Sequence, residues 1–324
     1  MQHRIYRTAK PFVKWVGGKT QLLGDIERTL PSDFSQKKNV IYVEPFVGGG
    51  AVLFWILQQF PNIQKAVIND INPHLITTYK VIKEQPYKLI EQLKELQEKY
   101  IPLGEEDRKE YYLNKRDIYN ASSLSEIETA ALFIFLNRTC FNGLYRVNKN
   151  GDFNVPMGNY KNPTICDEEN LRALSELIKN VNFEYGDYKA SQKYIKKNTF
   201  VYFDPPYRPL NITSGFTSYT KENFDDENQK ELALYYKELN NNNVKVMLSN
   251  SNPKNTNKED CFFENIYKGF NINEVYAKRM INANSNGRGE ISELLITNYE
   301  SDSSCYGEIE CIAGNTILKP IISN

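Results

Sequence analysis

Four consecutive residues, Asp204-Pro205-Pro206-Tyr207, combine a carboxylate, a rigid turn and an aromatic ring. They follow the apolar run "TFVYF" (199–203), and open α/β sheets bind ligands at the carboxyl ends of such strands. Pro206 has no N–H, so it leaves the Pro205 carbonyl oxygen without a competing donor. The Asp204 carboxylate and this carbonyl could accept two hydrogen bonds from an amino group while Tyr207 stacks on a planar base. An isolated D-P-P-Y would also be compatible with a purely structural turn.

A glycine corner supplies a second candidate site, in "YVEPFVGGGAVLF" (42–54). Gly48–Gly50 lie between a predicted strand and a predicted helix, where glycines permit a tight turn and close ligand approach to backbone N–H groups. About twenty residues further on, Asp70 ends the next apolar run, as ribose-binding carboxylates do in dinucleotide folds. The spacing is not G-x-G-x-x-G, which disfavours an NAD-dependent hydride-transfer enzyme. A nucleoside-containing cofactor is favoured over the alternative, a tight strand–helix corner with a surface aspartate.

The segment "KWVGGKT" (14–20) resembles a phosphate-binding loop only superficially. A P-loop requires G-x-x-x-x-G-K-[ST] after a strand, and Val13 occupies the position of the first glycine. No strand of adequate length is predicted before it. The segment is therefore not predicted to bind a nucleoside triphosphate.

Four apolar runs predict the strands that position these residues. Each ends abruptly in polar residues, glycine or proline, and helical segments lie between them. Continuous β-branched and aromatic runs are typical of strands buried on both faces. The alternation of strands and helices predicts a doubly wound α/β sheet. The runs are "VIYVEPF" (40–46), "KAVINDIN" (65–72), "TFVYFDPPY" (199–207) and "VKVMLSNS" (244–251).

A long charged region interrupts this alternation between the second and third predicted strands. It has apolar residues at helical spacing, overlapping capping-box signals in "SLSEIE" (123–128), and Asn150-Gly151 between two β-prone runs, which indicates a hairpin. We predict an inserted helical and β-hairpin domain at 74–165. The sheet domain would then comprise 1–73 and 166–300, and residues 301–324 form a tail of unknown role.

The composition sets further limits. The 324 residues carry 40 Lys+Arg and 40 Asp+Glu, so net charge neither indicates nor excludes a nucleic-acid partner. Two histidines, and five cysteines without a C-x-x-C pair, predict no metal site and favour a reducing compartment. The sequence has no apolar run of signal-peptide or transmembrane length, so we expect a cytoplasmic protein with no membrane partner.

Taken together, the motifs resemble the Dam-type DNA adenine N6-methyltransferases (D12 class, alpha group). The resemblance extends from about residue 10 to 299 and implies a Rossmann-like fold that uses S-adenosylmethionine (SAM) to methylate the exocyclic amino group of adenine in double-stranded DNA. It also implies that the insertion recognises the target. The matching segments, in order, are "PFVKWVGGKTQLL", "EPFVGGGAVLF", "INDIN", "FNGLYRVNKNGDFNVPMGNY", "GDY", "FVYFDPPY" and "EISELLITNY".

The resemblance also implies roles for individual residues. For SAM, it implies that Lys19 contacts the methionyl carboxylate, that Asp70 binds the ribose and that Asp187 binds the adenine. For the target base, Asp204 and the Pro205 carbonyl would accept hydrogen bonds from the amino group, and Tyr207 would stack on the flipped adenine. The complete set of implied cofactor residues is Trp15, Lys19, Phe46, Gly48, Gly49, Gly50, Asp70, Asp187 and Asp204.

For DNA recognition, the resemblance suggests a GATC target and a guanine contact from Arg146. Packing within the hairpin is a nearly equal alternative to base contact for Phe141 and Leu144. Further candidates are phosphate contacts from Lys149, Lys161 and Arg288 and loops at 214–220 and 282–291 that could close over DNA. The proposed recognition residues are Phe141, Asn142, Leu144, Arg146 and Pro156.

Other functions stay open at this point. An RNA or protein amide methyltransferase could use the same corner, although the long insertion with its hairpin disfavours it. A DNA-binding regulator that has lost catalysis is disfavoured by the intact "DPPY" and "VGGG". A cognate restriction endonuclease acting on the same site is a candidate functional partner.

Overall fold

The computed structural model describes residues 9–121, 123–208, 224–278, 290–301, 309–312 and 315–318. The predicted loop at 214–220, Arg288 and most of the predicted loop at 282–291 lie outside these residues. The described strands are β1 Val40–Glu44, β2 Ile63–Asp70, β3 Val181–Tyr185, β4 Thr199–Phe203, β5 Lys245–Ser251, β6 Asn271–Lys278, β7 Glu290–Thr297, β8 Ile309–Ile312 and β9 Asn315–Leu318.

Strands β1–β7 form one sheet in the order β3-β2-β1-β4-β5-β7-β6. Strands β1 to β5 are parallel to one another, whereas β7 runs antiparallel to both β5 and β6. The chain winds outward from β1 in one direction and from β4 in the other, so the topological switch point lies between these two strands. This confirms the predicted doubly wound α/β sheet and its four predicted strands.

A hydrophobic core cluster covers each face of the sheet. Successive residues of a strand point to opposite faces, so neighbouring residues belong to different clusters. Tyr42 and Tyr202 belong to one core cluster, while Val43 and Val201 belong to the other. All five residues of β4 are buried. The uninterrupted apolar run of the sequence is thus explained by burial on both faces.

The helices pack on both faces of the sheet and against one another. Helices α3 to α6 lie in the chain between β2 and β3, where the helical insertion is predicted. Ser125 and Glu128 form the expected capping box at the start of α6. The helices are α1 Leu23–Thr29, α2 Ala51–Gln59, α3 Pro73–Glu84, α4 Pro86–Tyr100, α5 Glu105–Asn120, α6 Glu126–Thr139, α7 Glu168–Leu177, α8 Asp226–Asn241 and α9 Phe262–Ile266.

Residues 140–158 form an antiparallel segment that is joined by two isolated bridges, 140 to 157 and 147 to 153. The chain reverses at Asn148, whose side-chain oxygen accepts the backbone N–H groups of Asn150 and Asp152. Two side chains of helix α5 bind backbone groups of the second strand of this segment. Tyr112 donates to the Val155 carbonyl, and Asn120 exchanges two hydrogen bonds with the backbone of Phe153. The hairpin is therefore held both by its own backbone hydrogen bonds and by side chains of the helix.

In the tail, β8 and β9 pair as an antiparallel ladder. Among the described residues, no helix combines the length and apolarity needed to cross a bilayer. The same residues contain no group of three or more histidine, cysteine or acidic side chains arranged to hold a metal ion.

Candidate active site

The two candidate motifs meet at the switch point of the sheet. Strands β1 and β4 are parallel neighbours, with Val43 paired to Val201. The glycine corner follows β1 and the D-P-P-Y turn follows β4, so both emerge at the same edge. Two stretches about 150 residues apart in sequence are thereby brought together, where open α/β sheets bind ligands.

Asp204 is held by two donors on one of its oxygens. The Nζ atom of Lys19 lies 2.7 Å from Oδ1, and the Ser249 hydroxyl donates to the same oxygen at 2.9 Å. Ser249 is oriented in turn by the Tyr202 hydroxyl at 3.0 Å. Burial raises the pKa of Asp204 above its ordinary value, and the Lys19 charge opposes that rise. Because both donors use Oδ1, the second oxygen, Oδ2, is left to accept a hydrogen bond from a ligand.

Lys19 is a buried cation at the centre of the site. It lies in a short 3-10 helix, and its side chain is only 3% exposed. Its ammonium also donates to the Gly17 carbonyl at 2.6 Å and lies 4.5 Å from the centroid of the Tyr207 ring. The structure thus places Lys19 against the Asp204 and Tyr207 side chains of the D-P-P-Y motif. Its predicted contact with a cofactor carboxylate stays a prediction.

A buried amide network holds the backbone of the turn. The Gln229 side chain donates to the Pro206 carbonyl at 3.0 Å and accepts from Asn250 at 3.2 Å. Arg208 follows the turn and pairs with Asp226 and Asp260, at 2.6 Å in each case. Since Gln229 and Asn250 are fully buried, the turn is fixed from the protein interior and can present Pro205 and Tyr207 in one geometry.

The glycine corner is closed by Trp15 on one side and Asp70 on the other. A Cβ atom on Gly48 would lie 2.7 Å from the Trp15 ring, so the indole requires glycine at this position. Asp70 accepts the Gly48 N–H at 3.0 Å and the Asn72 N–H at 2.9 Å. Burial raises the pKa of Asp70 to about 6, although these hydrogen bonds favour the ionised form. Gly49 and Gly50 complete the corner before α2 begins.

The remaining predicted cofactor residues lie at the same edge of the sheet. Phe46 packs its ring against Tyr188, with the centroids 5.5 Å apart. Asp187 is exposed, and its carboxylate accepts the Lys189 N–H at 2.9 Å. Asn69 is fully buried, and its amide donates to the carbonyls of Pro45, Gly186 and Asp187. One side chain therefore joins the ends of β1, β2 and β3.

The predicted recognition residues differ in their exposure. Arg146 is exposed, and its guanidinium donates to the side-chain and backbone oxygens of Asn154 at 2.8 and 3.3 Å. Phe141 is 51% exposed, whereas Leu144 packs against the main core. Base contact and packing within the hairpin both stay predictions for these two residues. The other predicted recognition residues, Asn142 and Pro156, and the predicted phosphate contacts, Lys149 and Lys161, are all exposed.

A buried amide joins the N-terminal loop to the 140–158 segment. Asn137, only 2% exposed, accepts the Lys14 N–H at 2.8 Å and donates to the carbonyls of Lys14 at 2.8 Å and Gly143 at 2.9 Å. Trp15 stacks on Tyr145, with the ring centroids 5.8 Å apart and the planes 24° apart. A Cβ atom on Gly143 would lie 2.5 Å from the Lys14 side chain. The loop that carries Trp15 therefore packs directly against the segment that carries the predicted recognition residues.

Comparison with known proteins identifies the family. The family model for D12 class N6 adenine-specific DNA methyltransferases matches residues 15–281. The chain belongs to this family. It is 50% identical over 293 residues to the Type II methyltransferase M.MjaIII of Methanocaldococcus jannaschii, covering 90% of this chain and 99% of that protein.

Two further relatives support the assignment. The Type II methyltransferase M1.LlaDCHI of Lactococcus lactis is 42% identical, with 90% of this chain and 95% of that protein covered. The DNA adenine methylase of Vibrio cholerae is 35% identical, with 88% of this chain and 95% of that protein covered. The chain is an adenine-specific DNA methyltransferase.

Several residues of this methyltransferase site are absent from the sequence-based prediction. Ser249 and Asn250 had a usable signal, because they are polar residues at the end of a predicted buried strand. Gln229 and Asn137 lie within helices, and no sequence signal distinguished them from other polar helix residues. Glu293 accepts a hydrogen bond from the Tyr207 hydroxyl. It lies in the first half of an antiparallel strand, so the expectation that site residues follow the carboxyl ends of strands does not point to it.

Proposed function

We propose that this enzyme transfers the methyl group of SAM to the exocyclic amino nitrogen of an adenine flipped out of double-stranded DNA, within the sequence GATC. The observation that carries the proposal is the meeting of the D-P-P-Y turn and the glycine corner at the switch point of the sheet. A base held by Asp204 and Tyr207 would then adjoin a cofactor held by the corner.

The residues present fit SAM. Asp70 supplies a carboxylate for ribose hydroxyls, and the neighbouring Ile71 is 50% exposed, which suits contact with an adenine ring. Asp187 lies nearby, joined to the same edge through Asn69. When bound, SAM supplies a methyl group on a positively charged sulfur. We assign its binding to Trp15, Lys19, Phe46, Gly48, Gly49, Gly50, Asp70 and Asp187, with Asp204 between cofactor and base.

The chain's own contribution to the reaction is to hold the amino group. The lone pair of this nitrogen is delocalised into the adenine ring, which makes it a weak nucleophile. Hydrogen bonds to Asp204 Oδ2 and the Pro205 carbonyl would favour a pyramidal nitrogen and direct its lone pair towards the methyl group. Because the turn is already fixed by Gln229 and Asn250, this polar arrangement is preorganised.

The site requires the target base to leave the duplex. A stacked base cannot reach a turn at the edge of a sheet, and flipping it out costs a few kcal/mol. Tyr207 would recover part of this cost by stacking, which contributes about 1–3 kcal/mol per base. Phe141, exposed on the 140–158 segment, would contact the disrupted duplex.

We assign target reading to the same segment. The Arg146 guanidinium is exposed, and the N–H donors that Asn154 does not occupy would make a bidentate contact with a guanine edge. Asn142, Leu144 and Pro156 would contribute apolar and polar contacts around it. By similarity to the relatives named Type II methyltransferases, we infer a restriction endonuclease of the same site as functional partner.

The direct test is methyl transfer from labelled SAM to unmethylated plasmid DNA, followed by mapping of the modified adenines. We expect modification at GATC alone. Replacing Arg146 with alanine should relax the preference at one guanine position by about 1–3 kcal/mol. Lys149→Ala is the matched control, since loss of a phosphate contact should weaken binding for all sequences alike. Unchanged preference in Arg146→Ala would refute its assignment, and modification at another sequence would refute GATC.

Cofactor binding should depend on pH through Asp70. Because its pKa is raised to about 6, the carboxylate that would bind the ribose is lost as the pH falls through that value. We expect SAM to bind about tenfold more weakly at pH 5 than at pH 7, measured by calorimetry. The free energy of unfolding should change in the opposite direction. Because the pKa of Asp70 is higher in the folded state, protonation stabilises the fold. This stabilisation should be complete below pH ~4 and lost as the pH rises through about 6.

The control for this prediction is Asp70→Asn, which keeps the shape of the side chain but cannot ionise. Its SAM affinity should be weaker at neutral pH and should no longer change near pH 6. A pH step that persists in Asp70→Asn would assign the titration to another group and remove the support for Asp70 as the ribose acceptor.

A further inference from the structure

Glu293 lies beside the D-P-P-Y turn although it is distant from it in sequence. It belongs to β7, which runs antiparallel to β5, and it pairs with Ser251, the last residue of β5. The early part of β7 is thus brought to the edge where the parallel strands end. The Glu293 side chain can reach the active site for this topological reason.

The Glu293 carboxylate makes a specific contact with the proposed base-stacking residue. The Tyr207 hydroxyl donates a hydrogen bond to Glu293 Oε2. The other features of the ring's surroundings are the Lys19 ammonium, 4.5 Å from its centroid, and the fixed turn that carries it. The backbone holds one end of the Tyr207 side chain and Glu293 holds the other.

We propose that Glu293 is a positioning residue for methyl transfer, because it fixes the orientation in which Tyr207 presents its ring to the target adenine. This inference rests on the proposed function, in which Tyr207 stacks on the flipped base. Glu293 itself would not touch the substrate.

The physical reason is the freedom of an aromatic side chain about its first torsion, which has several staggered minima and swings the whole ring from one position to another. A ring free to swing in this way would offer the base a range of orientations, few of which align the amino group with Asp204 Oδ2. The para hydroxyl lies on the axis of ring rotation, so its hydrogen bond does not stop the ring from turning; instead it anchors the far end of the side chain, which rotation about the first torsion would displace most. Since small misplacements of reacting groups reduce rates strongly, loss of this bond should lower kcat more than it raises KM.

The test uses the full chain with SAM and a DNA duplex containing the target site. The variants are Glu293→Ala, Glu293→Gln, Tyr207→Phe and the double variant Glu293→Ala/Tyr207→Phe. We expect kcat to fall about tenfold in Glu293→Ala and in Tyr207→Phe, with the KM for SAM within about twofold of the wild-type value. Because both changes delete the same bond, the double variant should be no worse than either single variant, within about twofold.

Glu293→Gln retains a carbonyl oxygen that can accept the tyrosine hydrogen bond, so it should recover most of the activity lost in Glu293→Ala. It also provides the test if the alanine variant fails to fold. Tyr194→Phe is the matched control, since Tyr194 donates to Glu184 at 2.7 Å at the other end of the sheet and its loss should leave kcat unchanged. A multiplicative loss in the double variant, or wild-type kcat in Tyr207→Phe, would overturn the inference.

A duplex with 2-aminopurine at the target adenine separates this inference from the proposed function. In the wild-type enzyme, a change in fluorescence on binding reports that the base leaves the stack. No change there would refute base flipping itself. A normal change in the wild type with an altered final intensity in Tyr207→Phe and Glu293→Ala supports the positioning role, and identical intensities in all three proteins contradict it.

Discussion

Replacing Asp204 with asparagine is expected to lower kcat by about 10³-fold or more, while SAM and DNA still bind. The reason is chemical: asparagine keeps the shape of the side chain and its contact with Ser249 but loses the charged acceptor proposed for the amino group. The measurement is single-turnover methyl transfer alongside separate binding titrations. A loss confined to binding, with normal transfer at saturation, would contradict the assignment.

The control for this experiment must distinguish loss of the acceptor from loss of any aspartate. Asp33→Ala is suitable, because its carboxylate is 56% exposed and contacts only a surface lysine, Lys37, in the described structure. It should leave both turnover and binding unchanged. Wild-type turnover in Asp204→Asn would refute the mechanism outright.

The second large effect is expected for Lys19→Met. Lys19 is the buried charge partner of Asp204, and its removal should raise the pKa of Asp204 further, so that less of the carboxylate is ionised at neutral pH. We expect a loss in kcat of about 100-fold at neutral pH and partial recovery as the pH is raised. The measurement is the pH profile of kcat, whose acidic limb should move to higher pH.

The same substitution should cost stability, since removing one partner of a buried pair costs about 3–5 kcal/mol. Asp204 is one-fifth exposed, so the lower end of that range is expected. Adding Asp204→Asn to Lys19→Met should restore most of the stability without restoring activity. SAM affinity should fall as well, because Lys19 is also proposed to contact the cofactor carboxylate. A kcat that falls equally at every pH would contradict its role as the charge partner of Asp204.

The sheet and the two main motifs could be predicted because their signals are local. Strands buried on both faces require continuous apolar residues, and the chemistry follows them directly, as in "TFVYF" before Asp204. The first and third predicted runs continue past the ends of β1 and β4, and the extra residues are ones that belong to the candidate site. Residues 45–46 and 205–207 are aromatic or proline and so resemble strand residues in sequence, but they lie beyond the ends of the strands.

The supporting residues could not be predicted because their roles depend on tertiary packing. Gln229 reads as an ordinary polar position of an amphipathic helix, yet it is fully buried against the turn after β4. Glu293 becomes part of the site only because β7 runs antiparallel to β5, and strand direction is not encoded in its apolar pattern. The hairpin signal at Asn150-Gly151 located the chain reversal but not the contribution of α5.

The amide of Asn137 binds the backbone of both the N-terminal loop and the 140–158 segment. A shift of either segment must therefore move the other or break buried hydrogen bonds, which are expensive to leave unmade. We therefore expect that occupancy by one ligand changes the affinity for the other, and thermodynamic linkage would make that effect equal in both directions. An incorrect DNA sequence would be rejected twice, once by weaker contacts at the bases and again by weaker retention of the methyl donor.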